Sequence, residues 1–320
     1  MLEPLFLAPV LQDKIWGGTT LASLFGFELP TQTIGEAWCI SAHPHGVTQV
    51  ISPERYRGIE LSRLYQECPT LFGEPTTKEF PLLVKLLDAK SDLSVQVHPA
   101  DDYALYHEQE LGKNECWYIV QAQPNAKIVY GHRATSRAEF EQLVAQGKWQ
   151  ELLVEVPVKA GDFFDVPAGT IHAIGAGIVI LETQQSSDTT YRVYDYERVD
   201  DAGQKRPLHL AKAADVTAYP DFDRTVESIV SMYDGGTVTQ LVANDYFTVM
   251  KWQVASELLC ELNGAYTLAT VISGAGELWL DERCYPVQAG QSFILPHGIR
   301  RIQLVGDLTI ISSHPNNKGE

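Results

Sequence analysis

Two segments of this chain carry the same twelve-residue pattern of glycine and proline. Residues 158–169 read VKAGDFFDVPAG and residues 287–298 read VQAGQSFILPHG, an offset of 129 with six identical positions. Glycine and proline fall in register, as they would at the turns and strand ends of one repeated unit. The pattern therefore predicts two copies of one β unit, and it constrains the fold more than any other feature of the sequence.

Most of the remaining chain reads as short β-strands separated by turn residues. Runs rich in Val, Ile, Tyr and Phe recur between Gly, Pro, Asn and Asp, a pattern typical of barrels and sandwiches. The expected strands are 80–87, 93–97, 116–120, 177–182, 191–194, 247–254, 266–273 and 308–312. Helical patterns are few: they are 59–68, then 101–108 capped by Asp101, and 138–146, which Ser136 opens in a capping box and Gly147 ends.

The two copies differ in the spacing between their strands. If 117–120 corresponds to 270–273, Ile119 lies 39 residues before Val158 and Ile272 lies 15 residues before Val287, a difference of 24. That difference matches the helical stretch at about 133–155, which we interpret as an insertion into the first copy. We therefore predict an all-β dominated fold of two barrels, over residues 1–220 and 221–320, with a boundary near 219–225.

Charge and cysteine content exclude several classes of function. The chain has 24 Lys and Arg against 41 Asp and Glu, a net charge of −17, which argues against binding nucleic acid or anionic lipid. No apolar run approaches the ~20 residues of a membrane span, and no signal-peptide pattern is visible. Five scattered cysteines without a CxxC pair indicate free thiols in a reducing cytoplasm and argue against a cysteine zinc site.

Four residues of the first copy form a candidate metal site. Gln96 and His98 alternate along one strand and so share a face, Glu115 opens the next strand, and His172 follows the Pro-x-Gly turn. This mixed set of nitrogen and oxygen donors suits Zn²⁺ or a similar divalent ion. The second copy has Arg301 at the position of His172 and no Gln-x-His segment before it, so we expect it to lack the metal.

Several segments of the chain, including those that carry the candidate ligands, resemble the sequences of a known family. The segments that carry the likeness are WGG (16–18), GEAW (35–38), FPLLVK (80–85), LSVQVHP (93–99), KNECWY (113–118), PAGTIHA (167–173) and SDTTYRVYD (187–195). They are similar to type I mannose-6-phosphate isomerases of the cupin superfamily, in their short bacterial form, over nearly the whole chain. The resemblance implies two cupin barrels (a bicupin) and the interconversion of mannose 6-phosphate and fructose 6-phosphate.

The resemblance also implies roles for individual residues. One Zn²⁺ per chain would be held by Gln96, His98, Glu115 and His172. Arg192 would be catalytic, and Ser94, Lys85 and Lys113 would contact the substrate and its phosphate. In this chemistry a charged arginine can stabilise the enediolate that forms when a proton leaves carbon.

The identity of the general acid and base stays open between two residues. Glu182 ends an apolar strand, where burial would raise its pKa into a range suited to proton transfer. Lys113, with a pKa lowered by a nearby cation, is the alternative. A carboxylate at position 182 could equally orient a ligand histidine.

Two other functions remain as alternatives. A bicupin redox enzyme such as an iron dioxygenase would have more histidine ligands around open metal positions, and the neutral Gln96 speaks against it. A non-catalytic sugar-binding cupin would lack the metal set and Arg192. We expect a small sugar phosphate as the partner, no nucleic acid or membrane, a cytoplasmic location, and a monomer or homodimer.

Overall fold

A computed structural model describes residues 2–199, 202–222 and 224–316. The strands are β1 (Leu5–Ala8), β2 (Val10–Gly18), β3 (Ile34–Ile40), β4 (Gln49–Ser52), β5 (Leu82–Ala89), β6 (Val95–Val97), β7 (Glu115–Ala122), β8 (Lys127–His132), β9 (Leu153–Pro157), β10 (Phe163–Val166), β11 (His172–Ile174), β12 (Ile178–Gln185), β13 (Tyr191–Tyr194), β14 (Ile229–Tyr233), β15 (Gly236–Ala243), β16 (Phe247–Val254), β17 (Glu257–Glu261), β18 (Thr267–Leu280), β19 (Arg283–Gln288), β20 (Ser292–Leu295) and β21 (Arg301–Pro315). The α-helices are α1 (Thr20–Phe25), α2 (Leu61–Glu67), α3 (Asp101–His107), α4 (Arg137–Ala145), α5 (Trp149–Leu152) and α6 (Leu210–Val216). Short 3₁₀ turns cover Glu54–Tyr56 and Pro69–Phe72.

The described strands assemble into antiparallel sheets. A ten-stranded sheet has the order β14-β15-β16-β21-β18-β20-β1-β4, with β17 also paired to β21 and β19 to β18. A six-stranded sheet has the order β10-β7-β12-β5-β3-β2, and a five-stranded sheet the order β13-β6-β11-β8-β9. The protein is thus mostly β, as the sequence predicts, and these strand orders are those of open sheets rather than closed barrels.

The repeated motif has the same backbone geometry in both copies. Gly161 and Gly290 have φ of 92° and 89°, and Gly169 and Gly298 have φ of 87° and 93°. This left-handed region is costly for any residue with a Cβ atom, so glycine is required at both turns. The same polar contact closes the first turn in each copy: Lys159 N donates to Asp162 Oδ2 at 2.9 Å, and Gln288 N donates to Gln291 Oε1 at 2.9 Å.

The strand before the motif aligns one residue away from the prediction. Tyr118 pairs with Phe163 in the first copy, and Thr270 pairs with Ser292 in the second. Tyr118 therefore corresponds to Thr270, whereas the sequence alignment placed Trp117 there. Neighbouring strands set this register through backbone hydrogen bonds, and the sequence of one strand does not show it.

Two early strands join the sheet of the second copy. Strand β1 pairs with β20 on one side and with β4 on the other, so both belong to the ten-stranded sheet. One apolar cluster also contains Leu5, Phe80, Val249, Leu268 and Ile311, which come from both halves of the chain. The predicted division at residue 220 therefore does not follow the sheets at β1 and β4.

The positions of the helices agree with the sequence prediction better than their N-terminal caps do. Helices α4 and α5 lie between β8 and β9, where the helical stretch at 133–155 was expected. Ser136 Oγ accepts from Glu139 N at 3.3 Å, but Glu139 Oε2 accepts from Thr135 N, not from Ser136 N. The prediction for Asp101 was wrong: α3 starts after Ala100, and Asp101 Oδ1 accepts instead from Gly112 N and the Gln185 amide.

Two further observations concern the cysteines and the helices. All five cysteines are free thiols, as the sequence predicts. Within the described ranges, no helix has the length and apolar character needed to cross a lipid bilayer.

Candidate active site

Each of two sheets carries a row of functional side chains that runs across its neighbouring strands. In the five-stranded sheet, Gln96 on β6 pairs with Arg192 on one side and with His172 on the other. In the six-stranded sheet, Glu182 on β12 pairs with Trp117 and Lys85. Residues directly opposite in antiparallel strands point to the same face. Each sheet therefore presents a short polar row in an otherwise apolar surface.

The four predicted metal ligands come together. Nε2 of His98 lies 3.4 Å from Glu115 Oε2, and Nε2 of His172 lies 3.5 Å from Glu115 Oε1. The amide of Gln96 lies 3.3 Å from His172 Nε2. Glu115 and both histidines are almost completely buried. These residues are separated by up to 76 positions in the chain, and the sheets bring them to one point.

Backbone carbonyls fix the tautomer of both histidines. Nδ1 of His98 donates to the Thr189 carbonyl, and Nδ1 of His172 donates to the Thr170 carbonyl, each at 2.9 Å. The Nε2 lone pairs are consequently turned toward Glu115. This outer hydrogen bond is the usual way in which proteins orient a metal-ligating imidazole.

The electrostatics of this group favour a bound cation. Burial lowers the pKa of both histidines, that of His172 to about 3, so both rings are neutral. Burial acts to raise the pKa of Glu115, but the Lys113 ammonium together with His98 and His172 outweighs that burial and holds the pKa well below its usual value. Two imidazole lone pairs and a carboxylate thus face one another, with the Lys113 ammonium beside His98 and Glu115. Such a donor set fits a divalent cation such as Zn²⁺.

Lys113 lies beside this donor set. Its Nζ is 2.7 Å from Glu115 Oε2, without the angles of a hydrogen bond, and 3.1 Å from His98 Nε2. Burial opposes its charged form, but Glu115 and Glu182 outweigh that effect and raise the pKa of Lys113 above its usual value. Lys113 is therefore an ammonium in this structure. The lower pKa considered from the sequence requires a bound cation and stays a prediction.

Glu182 has the character expected of a proton-transfer group. Burial, reinforced by the nearby Glu115 carboxylate, raises its pKa, which agrees with the expectation from sequence. The Trp117 indole N–H lies 3.1 Å from Glu115 Oε1 and 3.2 Å from Glu182 Oε2, so it ties the two carboxylates together. Lys85 Nζ lies 3.6 Å from Glu182 Oε1 and over the Trp38 ring.

Most of these side chains line one cavity of about 280 Å³. The predicted site residues along its wall are Lys85, Ser94, Gln96, Lys113, His172, Glu182 and Arg192. Arg192 Nε donates to Ser94 Oγ, and Ser94 Oγ donates to Gln96 Oε1, each at 3.3 Å. His98 and Glu115 lie behind this wall, so the site residues converge on a single space large enough for a sugar phosphate.

The sequence reasoning missed several charged residues of the cavity wall. They are Lys14, Asp188 and Arg206, together with Glu36, which was noted only as part of the family pattern. Lys14 Nζ lies 3.3 Å from Glu36 Oε1. A signal existed for Asp188, which stands inside the SDTTYRVYD segment. Lys14 and Arg206 stand in no motif, and only the fold shows that they reach the cavity.

Family models match both halves of the chain. The model of the catalytic domain of type I phosphomannose isomerases matches residues 5–119, and the model of the cupin domain of mannose-6-phosphate isomerases matches residues 237–315. The mannose-6-phosphate isomerase of Streptococcus mutans serotype c is 49% identical over 316 residues, which cover 99% of either chain. Mannose-6-phosphate isomerase ManA of Bacillus subtilis is 45% identical over 313 residues, 98% of this chain and 99% of the relative.

Solved structures agree with the sequence relatives. The crystal structure of the mannose 6-phosphate isomerase from Bacillus subtilis superposes with a TM-score of 0.95 at 43% identity, covering 97% of this chain and 99% of the other. The apo form of the Salmonella typhimurium enzyme gives a TM-score of 0.80 at 16% identity, over 99% and 100% of the chains, and shows a shared fold. On the sequence relatives above, the chain belongs to the type I mannose-6-phosphate isomerase family.

Proposed function

We propose that this chain is a zinc-dependent aldose–ketose isomerase that interconverts mannose 6-phosphate and fructose 6-phosphate. The observation that carries the proposal is the convergence of His98, Glu115 and His172, whose donor atoms lie within 4.8 Å of one another. His172 also lines the charged cavity. Membership of the family supplies the substrate pair. The free thiols support the cytoplasmic location expected from the sequence.

The fold proposal is a bicupin, with a catalytic unit over 1–220 that carries the insertion at 133–155 and a metal-free unit over 221–320. The matched glycine turns of the two copies support it. Arg301, which stands where His172 stands in the first copy, is exposed. The second copy therefore offers no counterpart of that ligand.

One Zn²⁺ would be held by Gln96, His98, Glu115 and His172. A related mannose 6-phosphate isomerase structure, with a TM-score of 0.79 and 16% identity, is described as bound with zinc and yttrium, which supports this choice. When bound, the ion would supply Lewis-acid stabilisation of negative charge on a substrate oxygen.

The reaction moves one proton between C2 of the aldose and C1 of the ketose through an enediol. We assign Glu182 as the group that takes this proton and returns it to the neighbouring carbon, because its raised pKa suits both directions. Lys113, held as an ammonium, would donate hydrogen bonds to the developing oxyanion, and Arg192 would add a permanent positive charge. Ser94, Lys85 and Lys113 would contact the substrate.

Metal removal tests the function. We expect chelated, dialysed enzyme to lose conversion of mannose 6-phosphate in a coupled assay and to regain it with one equivalent of Zn²⁺, with metal content measured on the same samples. Full activity in protein shown to be metal-free would reject zinc dependence. Absence of isomerase activity in the zinc-loaded protein would reject the function itself.

A Glu182→Gln variant tests the proton-transfer group. We expect kcat to fall by about 10²–10⁴-fold, because general acid–base catalysis by a placed side chain contributes that much. Exchange of the transferred hydrogen with D₂O solvent should fall with it, whereas zinc content should not change. Exchange at the wild-type rate in this variant would instead assign the proton to another group, with Lys113 the first to examine.

A further inference from the structure

Two arginines bind one carboxylate close to Arg192, which lines the cavity. Arg206 donates to Asp195 from Nε at 2.7 Å and from Nη2 at 2.6 Å, and Arg198 Nη2 lies 2.5 Å from the same carboxylate. The Asp195 side chain is only 5% exposed. A bidentate arginine–carboxylate pair is geometrically rigid, so Arg206 is held in one orientation.

The positive charge here exceeds what the carboxylate can balance. Arg192 Nη1 donates to the carbonyl of Pro207, the residue after Arg206, at 3.0 Å. Burial, together with the charge of Arg206, lowers the pKa of the Arg192 guanidinium. Among the residues that the structure describes, Asp195 is the only acidic side chain that pairs with any of Arg192, Arg198 and Arg206, so about two of their three positive charges are not compensated there. That surplus equals the charge of a phosphate monoester near neutral pH.

The lysines of the cavity carry no such surplus. Lys85 lies 3.6 Å from Glu182, Lys113 lies 2.7 Å from Glu115, and Lys14 lies 3.3 Å from Glu36. Each ammonium is therefore balanced by its own carboxylate. A phosphate bound beside these lysines would also be repelled by the negative charges of Glu182 and Glu36. The expectation that Lys85 and Lys113 grip the phosphate is less well supported than their role beside the reacting carbons.

The free donors lie on the cavity side. Both Arg192 and Arg206 line the cavity, while Arg198 does not. Among the residues that the structure describes, Nη2 of Arg192 and Nη1 of Arg206 have no protein acceptor. Arg192 also donates to Ser94, whose hydroxyl contacts Gln96. Arg192 therefore connects Arg206 to the predicted metal ligands.

We propose that Arg206, held by Asp195, and Arg192 form the phosphate-binding end of the cavity. This inference rests on the proposed function and assigns the part of the substrate that the function leaves open. It makes Arg206 a binding and specificity residue: it selects phosphorylated sugars and places C1 and C2 next to Glu182 and the metal ligands. Arg198 and Asp195 act by positioning Arg206.

Kinetics of Arg206→Met test this assignment. We expect KM for mannose 6-phosphate and the inhibition constant of inorganic phosphate both to rise about 10–100-fold, the loss of a charge-assisted hydrogen-bonded pair. The kcat at saturation should change less than about threefold, because the variant removes binding that is equal in the ground and transition states. Arg206→Lys should recover part of the loss, since lysine restores charge but not the fork.

Arg301→Met is the matched control, because Arg301 is an exposed arginine of the second copy. It should leave both constants unchanged. If Arg206→Met destabilises the fold by leaving Asp195 with one partner fewer, the double variant Asp195→Asn with Arg206→Met removes both charges and should show the same rise.

Two failures can be told apart. Unchanged KM and unchanged phosphate inhibition in a folded, active Arg206→Met enzyme would overturn the assignment of Arg206 and leave the isomerase function standing. A wild-type protein that binds inorganic phosphate through Arg206, as shown by calorimetry, yet converts no sugar phosphate would support the anion site and reject the proposed function.

Discussion

The two copies of the repeated motif share their turns and differ in the side chains that their strands enclose. The first copy encloses the polar groups Lys85, Gln96, His98, Glu115, His172 and Glu182. The second copy encloses the hydrocarbon side chains Val271, Phe293, Leu295, Ile302, Leu304 and Leu308. The backbone that glycine and proline specify is thus compatible with either filling. Burying paired charges costs desolvation, whereas burying hydrocarbon stabilises the fold, so the polar site of the first copy is a cost that the apolar clusters of both copies offset.

The second difference between the copies is which residue after the motif points inward from its strand. After the second glycine, His172 points into the site of the first copy. In the second copy Arg301 is exposed and Ile302 points into the apolar cluster. A shift of one residue exchanges the two faces of a strand. Position within the motif therefore does not ensure the same environment, and four predictions test this contrast.

The largest effect should come from removing a ligand of the first copy. We expect His98→Ala to lose zinc and to lower kcat/KM by about 10³-fold or more, because the ion contributes several kcal/mol to the transition state. Arg301→Ala in the second copy should leave metal content and activity unchanged. Comparable losses in both variants would show that the second copy takes part in catalysis.

The next largest effect should be on stability. Phe293, fully buried and 5.3 Å from the Phe6 ring, corresponds to Phe164 in the first copy. Phe293→Ala should lower the free energy of unfolding by about 3–5 kcal/mol, and Phe164→Ala by less, because Phe164 is only partly buried. Urea unfolding measures both. Equal losses would contradict the view that the second copy is the more tightly packed one.

A smaller effect should appear as pH dependence. Burial raises the pKa of Asp165 to about 6 from 3.8, against the opposing charge of Arg224, whereas Ile294 stands at this position in the second copy. The folded state holds this proton more tightly than the unfolded chain does, so the contribution is present below pH 4 and is lost as pH rises through 6. Asp165→Asn should therefore gain of the order of 1–2 kcal/mol on the wild type between pH 4 and 7.

Thermal unfolding at several pH values measures this gain. A difference between Asp165→Asn and the wild type that does not vary with pH would show that the carboxyl titrates normally.

The smallest effect concerns a polar atom in the second copy. Ser312 pairs with Ala269 as Glu182 pairs with Trp117 in the first copy, and its buried Oγ has no hydrogen-bond partner among the described residues. Ser312→Ala should be neutral or should stabilise the fold by up to about 1 kcal/mol, with activity unchanged. Destabilisation by this variant would mean that the hydroxyl makes an interaction the structure does not show.

The sequence predicted the local features of both copies well. The turns follow from Gly161 and Gly169 and their counterparts, because glycine is the residue that tolerates their backbone. The donors Gln96 and His98 could be placed on one face from alternation alone. The ligands from more distant strands, Glu115 and His172, were recognised from motif order.

Features set by long-range pairing could not be predicted. The register of Tyr118 against Phe163, the outward turn of Arg301 and the position of β1 all depend on which strand lies alongside. Arg206 belongs to a segment without periodicity, and only folding brings it to Asp195. Helix α6 was missed as well, although its run of helix-forming residues (LAKAADV) gave a usable signal.

The pairing of β1 with β20 has a consequence for biosynthesis. Leu5 is opposite Ile294, so β1, which is translated at the outset, cannot find this second neighbour until almost the whole polypeptide has left the ribosome, although β4 is available early. During that interval its unsatisfied edge is open to wrong partners, and such late closure slows the final assembly. Chaperone protection of the nascent chain should matter most in this interval. A polypeptide truncated before residue 292, and so lacking β20, should aggregate.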